Sequence, residues 1–236
     1  MCHMKKIAII VAGGRGKRMG QDKQFLPIAG RPMLGWTAAA FDKAKIIDGI
    51  ILVVARHNLA KARKIRSKKI IAVVASGPER QDSVQNGLKA LPESAEIVLI
   101  HDGARPAVSE AIISASVKAA QRHGAAVVGV PVKDTIKRVL PPLSSGHLPL
   151  IKGENERGFV KATLDRRELW AAQTPQTFQA SLILNAYAKI RGLCTDDAMV
   201  VELAGLPVVM VMGSYQNIKV TTPEDLDYIA KVLKRR

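Results

Sequence analysis

Short apolar runs and longer amphipathic segments alternate along this chain. Six runs rich in Val and Ile are short enough for buried strands and too continuous for one face of a helix. These predicted strands are Ile7–Val11, Ile50–Val54, Ile70–Val74, Ile97–Ile100, Ala125–Val130 and Val208–Val211. The predicted helices are Pro32–Phe41, Gln81–Ala90, Ser109–Arg122, Thr195–Ala204 and Pro223–Lys234. The alternation predicts an α/β fold, with a Rossmann-like, mostly parallel sheet flanked by helices on both faces.

One segment interrupts this alternation. Val132–Leu140 and Phe159–Leu164 have the composition of strands, and a loop rich in proline and serine follows the first of them. They predict an extended β-arm over residues 132–165 that protrudes from a single domain of residues 1–236. Because an isolated hairpin is marginally stable in water, we expect the arm to pack against a second copy of the chain in a homodimer.

The composition fits such a domain and adds a strong positive charge. Hydrophobic residues make up 47% of the chain and aromatic residues only 4%, which predicts an aliphatic core. The net charge is +16, from 36 Lys and Arg against 20 Asp and Glu. Such a surface attracts polyanions, which can be nucleic acids or small phosphorylated substrates. A nucleic-acid-binding module would interleave basic and exposed aromatic residues, and four Phe, three Tyr and two Trp give that alternative little support.

Neither the cysteines nor the start of the chain indicates a metal centre or export. Cys2 and Cys194 form no metal-ligand pattern and no disulfide framework. The first apolar run is far shorter than the roughly 20 residues of a membrane span, and no signal peptide pattern is recognisable. The expected location is cytoplasmic.

A glycine-rich segment follows the first predicted strand and suggests a phosphate site. Its small residues are Ala12, Gly13, Gly14 and Gly16. Glycines allow backbone N–H groups to approach phosphate oxygens. Arg18 and Lys23 add two positive charges, which can stabilise the negative charge that develops during transfer of a phosphoryl group. The alternative is an ordinary strand-to-helix turn with a basic rim.

The common phosphate motifs do not describe this segment. A Walker A loop requires Ser or Thr after Gly-Lys, and Arg18 occupies that position. A dinucleotide fingerprint requires a third glycine where Met19 stands. Neither an NTP hydrolase nor a dehydrogenase is therefore favoured, whereas binding of a nucleoside triphosphate for another reaction remains consistent with the segment.

Three further polar segments lie near predicted element ends. Ser76–Val84 contains Gly77, Arg80 and Ser83, and it could equally serve as a helix cap through Asp82 or Ser83. Asp102 and Arg105 follow a predicted strand, at the sheet edge where α/β proteins bind ligands, although a salt-bridged turn would explain them too. Lys219 is predicted to leave a strand just before a helix capped by Thr222.

In order and spacing, these segments resemble the nucleotidyltransferases that activate sugar or polyol phosphates. The resemblance extends from about Lys6 to Leu226 and is closest to the 2-C-methyl-D-erythritol 4-phosphate cytidylyltransferase family. It implies transfer of CMP from CTP to 2-C-methyl-D-erythritol 4-phosphate in non-mevalonate isoprenoid synthesis. It also implies Mg²⁺ as the cofactor that accompanies CTP, and a homodimer formed through the β-arm.

The resemblance also implies residue roles. Arg18 and Lys23 would be catalytic. The implied CTP-binding residues are Ala12, Gly13, Gly14, Gly16, Gly77, Arg80 and Ser83. The implied acceptor-positioning residues are Asp102, Arg105, Thr135, Arg166, Thr174, Thr195 and Lys219, part of the set coming from the arm of the other subunit. No protein ligand to the metal is assigned.

Ribitol 5-phosphate cytidylyltransferase is the alternative within the same class. It is similar in fold, glycine loop and donor, and it differs in the acceptor pocket. The runs Asp134–Lys137, Asp165–Arg166 and Asn217–Val220 favour methylerythritol phosphate as the acceptor.

Overall fold

The computed structural model describes residues 5–14, 22–140 and 159–235. They form two units. The first contains the described residues up to Gly129 together with those from Ala172 onward, and the second is Val130–Ala171.

Eleven strands are present in the described residues. In chain order they are β1 (Lys5–Ala12), β2 (Pro27–Ile28), β3 (Arg31–Pro32), β4 (Gly49–Val54), β5 (Ile70–Ala75), β6 (Ala95–Asp102), β7 (Ala125–Pro131), β8 (Lys137–Leu140), β9 (Phe159–Thr163), β10 (Trp170–Gln179) and β11 (Val209–Met212). Seven of them form one sheet in the order β11-β7-β10-β6-β1-β4-β5. Strand β1 runs parallel to β4 and β6, β4 to β5, and β7 to β11, whereas β10 runs antiparallel to β6. The predicted mostly parallel α/β sheet is thus confirmed.

Seven α-helices accompany these strands in the described residues. They are α1 (Met33–Lys43), α2 (Leu59–Ala62), α3 (Arg80–Lys89), α4 (Glu110–His123), α5 (Ala180–Lys189), α6 (Asp197–Leu203) and α7 (Pro223–Lys234). None of these helices combines the length and the apolar character that a membrane crossing requires.

The apolar runs of the central strands are buried because helices cover both faces of the sheet. Every residue of β4 is buried, which matches its unbroken apolar sequence. Along β1 the side chains alternate between two cores. Ala8 and Ile10 join the core that contains Phe41 of α1. Ile7 and Ile9 join the core that contains residues of α3 and α5.

The predicted helices begin within two residues of their observed starts, and α3 and α6 have other caps than the sequence suggested. Helix α3 is capped by Glu79, and not by Asp82 or Ser83, because Glu79 and Asp82 form a reciprocal capping box. Helix α6 begins two residues after Thr195, since the Asp196 side chain accepts from the Met199 N–H and caps it. The predicted cap of α7 at Thr222 is present.

Strand β10 and helix α5 were not predicted. The run Gln173–Gln176 lies inside β10, and its polar side chains are buried. Periodicity misses such a strand because four of its six buried residues are polar, and hydrogen bonds satisfy them. Lys219 is another correction, because it lies in an irregular segment rather than at the end of a strand.

The second unit contains a short hairpin in which β8 pairs antiparallel with β9. The strand predicted from Val132 begins only at Lys137, and a single 3-10 turn, Arg166–Glu168, follows the hairpin. The arm tip, residues 141–158, lies outside the described residues. A role of this hairpin in dimerisation stays a prediction.

Candidate active site

Two neighbouring cavities open in the first unit, where β1, β5 and β6 end. One has a volume of about 340 Å³ and is lined by Gly13, Gly14, Lys23 and the turn around Gly77. The other has a volume of about 230 Å³ and is lined by residues of β10, by Arg105 and by the start of α6. Arg80, Asp102 and Lys219 line both. A ligand in one cavity would therefore meet a ligand in the other at these three side chains.

The floor of the larger cavity depends on close backbone packing. A Cβ atom on Gly13 would overlap the Cβ of Ser76, and one on Gly77 would overlap the Cβ of Asp82. The Ser83 hydroxyl fastens the turn, because it accepts from the Gly77 N–H at 3.2 Å and donates to the Glu79 carbonyl at 2.9 Å. Glycine is thus required where the end of β1 meets the turn before α3.

The other residues predicted around the glycine-rich segment after β1 differ in their burial and in their contacts. A Cβ atom added to Gly14 would meet no other described residue within 4 Å. Ala12 is buried, and its Cβ lies close to Gly103. Lys23 lies in a 3-10 turn, lines the larger cavity and donates from Nζ to the Val220 carbonyl at 3.0 Å. Gly16 and Arg18 lie outside the described residues.

Asp102 is the centre of a charged cluster at the junction of the cavities. Its Oδ2 lies 2.9 Å from Lys219 Nζ and 3.5 Å from Arg105 Nε, and its Oδ1 lies 3.6 Å from Arg80 Nε. Burial by itself raises the pKa of Asp102, but the charges of Lys219, Arg80 and Arg105 outweigh burial and hold that pKa well below its usual range. Asp102 is therefore an anion that organises three cations.

Arg80 has a second, deeper partner. Its Nη2 donates to Asp197 Oδ2 at 2.7 Å, and the Tyr187 hydroxyl donates to Asp197 Oδ1 at 2.6 Å. Burial alone lowers the pKa of Arg80, but the charges of Asp197 and Asp102 raise it above its ordinary value. Burial, followed by the charge of Asp197, raises the pKa of Tyr187, so its hydroxyl keeps its proton.

A closed ring of hydrogen bonds supports the segment that carries Asp102 and Arg105. His101 Nε2 lies 3.1 Å from the Arg105 carbonyl, and Arg105 Nη1 donates to the Asn217 carbonyl at 2.7 Å. Asn217 Nδ2 donates to the Thr174 carbonyl at 2.9 Å, and Thr174 Oγ1 lies 2.9 Å from His101 Nδ1. Because a carbonyl only accepts, Nε2 carries the proton and Nδ1 accepts from the hydroxyl.

The protonation of His101 agrees with this arrangement. Burial lowers the pKa of His101 to about 4, so the imidazole is neutral at neutral pH. The Asp102 N–H also donates to Thr174 Oγ1, at 3.1 Å, which joins β6 to β10 beside the site. His101 is thus a structural member of the ring.

The smaller cavity brings together most of the predicted acceptor residues. Arg105, Thr174 and Thr195 line it with the three shared side chains. Thr135 and Arg166 belong to the second unit, where both are exposed and Arg166 Nη1 donates to the Lys133 carbonyl at 2.6 Å. Their contribution to the acceptor site stays a prediction.

The structure adds residues to the site that sequence reasoning missed. Gln24 lines the larger cavity, and Gln173, Gln176 and Asp196 line the smaller one. Asp197 lines neither cavity and is the first residue of α6. Its partner Arg80 lies 117 positions away, so no local pattern could have revealed the pair.

No cluster of three or more His, Cys, Asp or Glu side chains suited to a metal ion occurs among residues 5–14, 22–140 and 159–235. Asp102 is the carboxylate that borders both cavities. This carboxylate suits a cation that arrives with its substrate and retains water, because Mg²⁺ is commonly bound by substrate phosphates and one or two carboxylates.

Comparison with known proteins shows the family to which this chain belongs. The sequence profile described as "IspD: 2-C-methyl-D-erythritol 4-phosphate cytidylyltransferase" matches residues 6–235. The chain is 45% identical over 240 residues to the 2-C-methyl-D-erythritol 4-phosphate cytidylyltransferase of Desulforamulus reducens, covering 98% of this chain and 96% of the relative. It is 43% identical over 242 residues to that of Alkaliphilus metalliredigens, covering 98% and 94%.

Solved structures show the same likeness. The 4-diphosphocytidyl-2C-methyl-D-erythritol synthase of Anaerococcus prevotii superposes with a TM-score of 0.81 at 31% identity, covering 99% of this chain and 97% of that one. The 2-C-methyl-D-erythritol 4-phosphate cytidylyltransferase of Thermus thermophilus superposes with a TM-score of 0.75 at 32% identity, covering 99% and 100%. With the profile matched over nearly the whole chain and these identities, the chain belongs to the IspD family of 2-C-methyl-D-erythritol 4-phosphate cytidylyltransferases.

Proposed function

We propose that this chain transfers CMP from CTP to 2-C-methyl-D-erythritol 4-phosphate. The products are 4-diphosphocytidyl-2-C-methyl-D-erythritol and pyrophosphate. One observation carries the proposal beyond family membership: a glycine-floored cavity and a smaller polar cavity share a wall made of Arg80, Asp102 and Lys219. Two phosphorylated substrates that must react with each other need such a shared, positively charged boundary.

The larger cavity is the proposed CTP site. The backbone at Gly13 and Gly14 offers N–H groups to phosphate oxygens, and Lys23 supplies a positive charge at the same wall. The turn around Gly77, fastened by Ser83, is the proposed contact for the base. Arg18 is proposed to join Lys23 in neutralising the triphosphate, on the strength of its place in the glycine segment.

The smaller cavity is the proposed acceptor site. Lys219 and Arg105 would bind the 4-phosphate, with Thr174 and Thr195 beside the polyol. An oxygen of this phosphate attacks the α-phosphorus of CTP, a new P–O bond forms, and the bond to the β-phosphate breaks as pyrophosphate leaves. A phosphate monoester is already anionic near neutral pH, so no strong general base is needed.

Catalysis then consists of positioning and charge neutralisation. Asp102 has too low a pKa to remove a proton at neutral pH, and its proposed role is to keep Lys219, Arg80 and Arg105 together. Lys23 and Arg18 would stabilise the charge that develops on the pentacoordinate phosphorus and on the leaving pyrophosphate.

Mg²⁺ is the proposed cofactor and would enter with CTP. When bound, it would neutralise charge on the phosphate oxygens and help to align them. Asp102 is the side chain we propose for any direct or water-mediated contact, because it borders both cavities. The protein groups around it would mainly hold the phosphates that carry the ion.

The decisive assay measures pyrophosphate release with CTP and Mg²⁺, offering 2-C-methyl-D-erythritol 4-phosphate and ribitol 5-phosphate in parallel. We expect release with the first acceptor alone. Release with ribitol 5-phosphate alone would keep the nucleotide site and overturn the acceptor assignment. No release with either acceptor, from folded protein, would overturn the proposed function.

A further inference from the structure

We infer that Asp197 is a positioning residue for this transfer and acts through the guanidinium of Arg80, with Tyr187 holding its carboxylate from behind. The inference rests on the proposed function, because it assigns a role within the same site. Three observations support it. The Asp197 carboxylate is buried and hydrogen-bonded through both oxygens, α6 is capped without it, and Arg80 lines both cavities.

Asp197 is fully buried, and both of its carboxylate oxygens are engaged. Oδ2 accepts from Arg80 Nη2 at 2.7 Å, and Oδ1 accepts from the Tyr187 hydroxyl at 2.6 Å. On its other side Arg80 Nε faces Asp102 Oδ1 at 3.6 Å. The guanidinium is therefore held between the start of α6 and the end of β6, two elements whose separation the core determines.

The helix itself does not require this carboxylate. Carboxylates in a first turn commonly cap the helix or stabilise its dipole, but Asp196 caps α6 by accepting from the Met199 N–H at 2.9 Å. The backbone N–H of Asp197 donates instead to Gln176 Oε1 at 2.9 Å. Buried ion pairs often add little net stability compared with apolar residues of similar size. Orientation of Arg80 is the function that explains the pair.

Loss of the ion pair between Asp197 and Arg80 would disturb more than one cation. Asp102 is the second carboxylate within reach of Arg80, and Lys219 and Arg105 already share it. Without Asp197, Arg80 would turn toward Asp102 and compete with Lys219 for its oxygens. The cations at the junction of the two cavities would then no longer match the positions of the reacting phosphates.

This mechanism predicts a specific kinetic signature for Asp197→Asn. We expect kcat to fall by about 10- to 100-fold, because small displacements of groups that align reacting atoms have effects of that order. The KM for CTP should change by less than about threefold. If Asp197 acted only as local negative charge, its neutralisation would make the cluster more positive and would lower the KM for CTP instead.

A double-mutant cycle tests whether Asp197 acts through Arg80. Turnover is compared among the wild type, Asp197→Asn, Arg80→Gln and the double variant, in single-turnover mode at high enzyme concentration so that the weakest variant stays measurable. We expect Asp197→Asn to change the rate by less than about twofold once Arg80 is replaced. Multiplicative, independent losses would overturn the inference, as would an Arg80→Gln variant with wild-type turnover.

Two further variants separate this role from a contribution to folding. Val200→Ala opens a cavity in the same helix without touching Arg80, and we expect a lower Tm with kcat within about twofold of wild type. Tyr187→Phe keeps the ion pair but removes the hydroxyl behind it, and we expect a loss of about two- to fivefold that also disappears in the Arg80→Gln background. If Asp197→Asn does not fold, the Tyr187→Phe cycle decides the question by the same criterion.

The wild-type reaction keeps the two proposals distinguishable. A wild-type protein that releases no pyrophosphate refutes the proposed function. An active wild type whose cycle is additive refutes only the positioning role of Asp197.

Discussion

At the scale of single residues, space rather than backbone conformation makes glycine necessary at the cavity floor. Gly13 and Gly14 are adjacent, and neither has a φ in the left-handed region. A side chain at Gly13 would overlap Ser76, whereas a Cβ at Gly14 would meet nothing within 4 Å among the residues that the structure describes. The two glycines look equivalent in the sequence, but only at Gly13 would a Cβ atom overlap a described neighbour.

Gly13→Ala should therefore destabilise the protein by about 1–3 kcal/mol, the usual range for an overpacked site. It should also raise the KM for CTP, because the Ser76–Gly77 turn must move. Urea unfolding and steady-state kinetics measure both effects.

Gly14→Ala is the matched control for stability, and we expect no loss of unfolding free energy. Gly13→Ala combined with Ser76→Gly should recover most of the lost stability, since the second change removes the overlapping Cβ. Equal destabilisation by the two alanine variants would contradict this account.

At the scale of elements, buried polar contacts join two strands and a loop that apolar packing alone would not align. The ring of His101, Thr174, Asn217 and Arg105 connects the end of β6, the middle of β10 and the irregular segment before α7. In the ring described above His101 is neutral, and its Nδ1 accepts from the Thr174 hydroxyl. Burial, which lowers the pKa of His101 to about 4, keeps it in that state.

A pH dependence of stability follows from this pKa. His101 titrates near 6.5 in an unfolded chain and near 4 in the folded one, so below pH 6.5 the unfolded state binds more protons and stability falls with acidification. Above about pH 6.5 His101 is mostly neutral in both the folded and the unfolded state, so its titration no longer reduces stability. Between pH 7 and pH 5 the loss should be about 2 kcal/mol in the free energy of unfolding.

Urea unfolding at pH 7 and pH 5 measures this difference. His101→Gln removes the titrating group, so the variant should show a correspondingly smaller change over the same interval. An unchanged pH dependence in the variant would show that other groups cause it.

At the scale of the whole molecule, the hairpin of the second unit leaves several large apolar side chains exposed. Val139, Leu140, Phe159 and Val160 are between 49% and 64% exposed. A two-stranded hairpin with such a surface needs a partner to be stable. A second copy of the chain remains our proposal, with Thr135 and Arg166 contributed across the interface.

We therefore expect the wild type to sediment at twice the mass of one chain. Phe159→Glu should weaken the dimer by about tenfold or more, because it places a charge in a buried contact. Turnover should fall in parallel at enzyme concentrations where the dimer dissociates.

Met212→Glu is the matched control, since Met212 is 59% exposed on edge strand β11, and it should leave the mass unchanged. A monomeric wild type, or a Phe159→Glu variant with undiminished dimer affinity, would refute the proposed role of the arm.

The sequence alone determined the parallel α/β sheet and the order of its main elements, because strands buried on both faces are continuous apolar runs and helix starts carry local caps. It also indicated the glycine segment and the polar turns after β5 and β6. Strand β10 escaped prediction because most of its buried residues are polar and are satisfied by partners far along the chain. Only the tertiary structure brought Arg80 to Asp197 and closed the ring around His101. Those contacts depend on elements separated by many residues, and burial in their shared interior gives the charges and hydrogen bonds their strength.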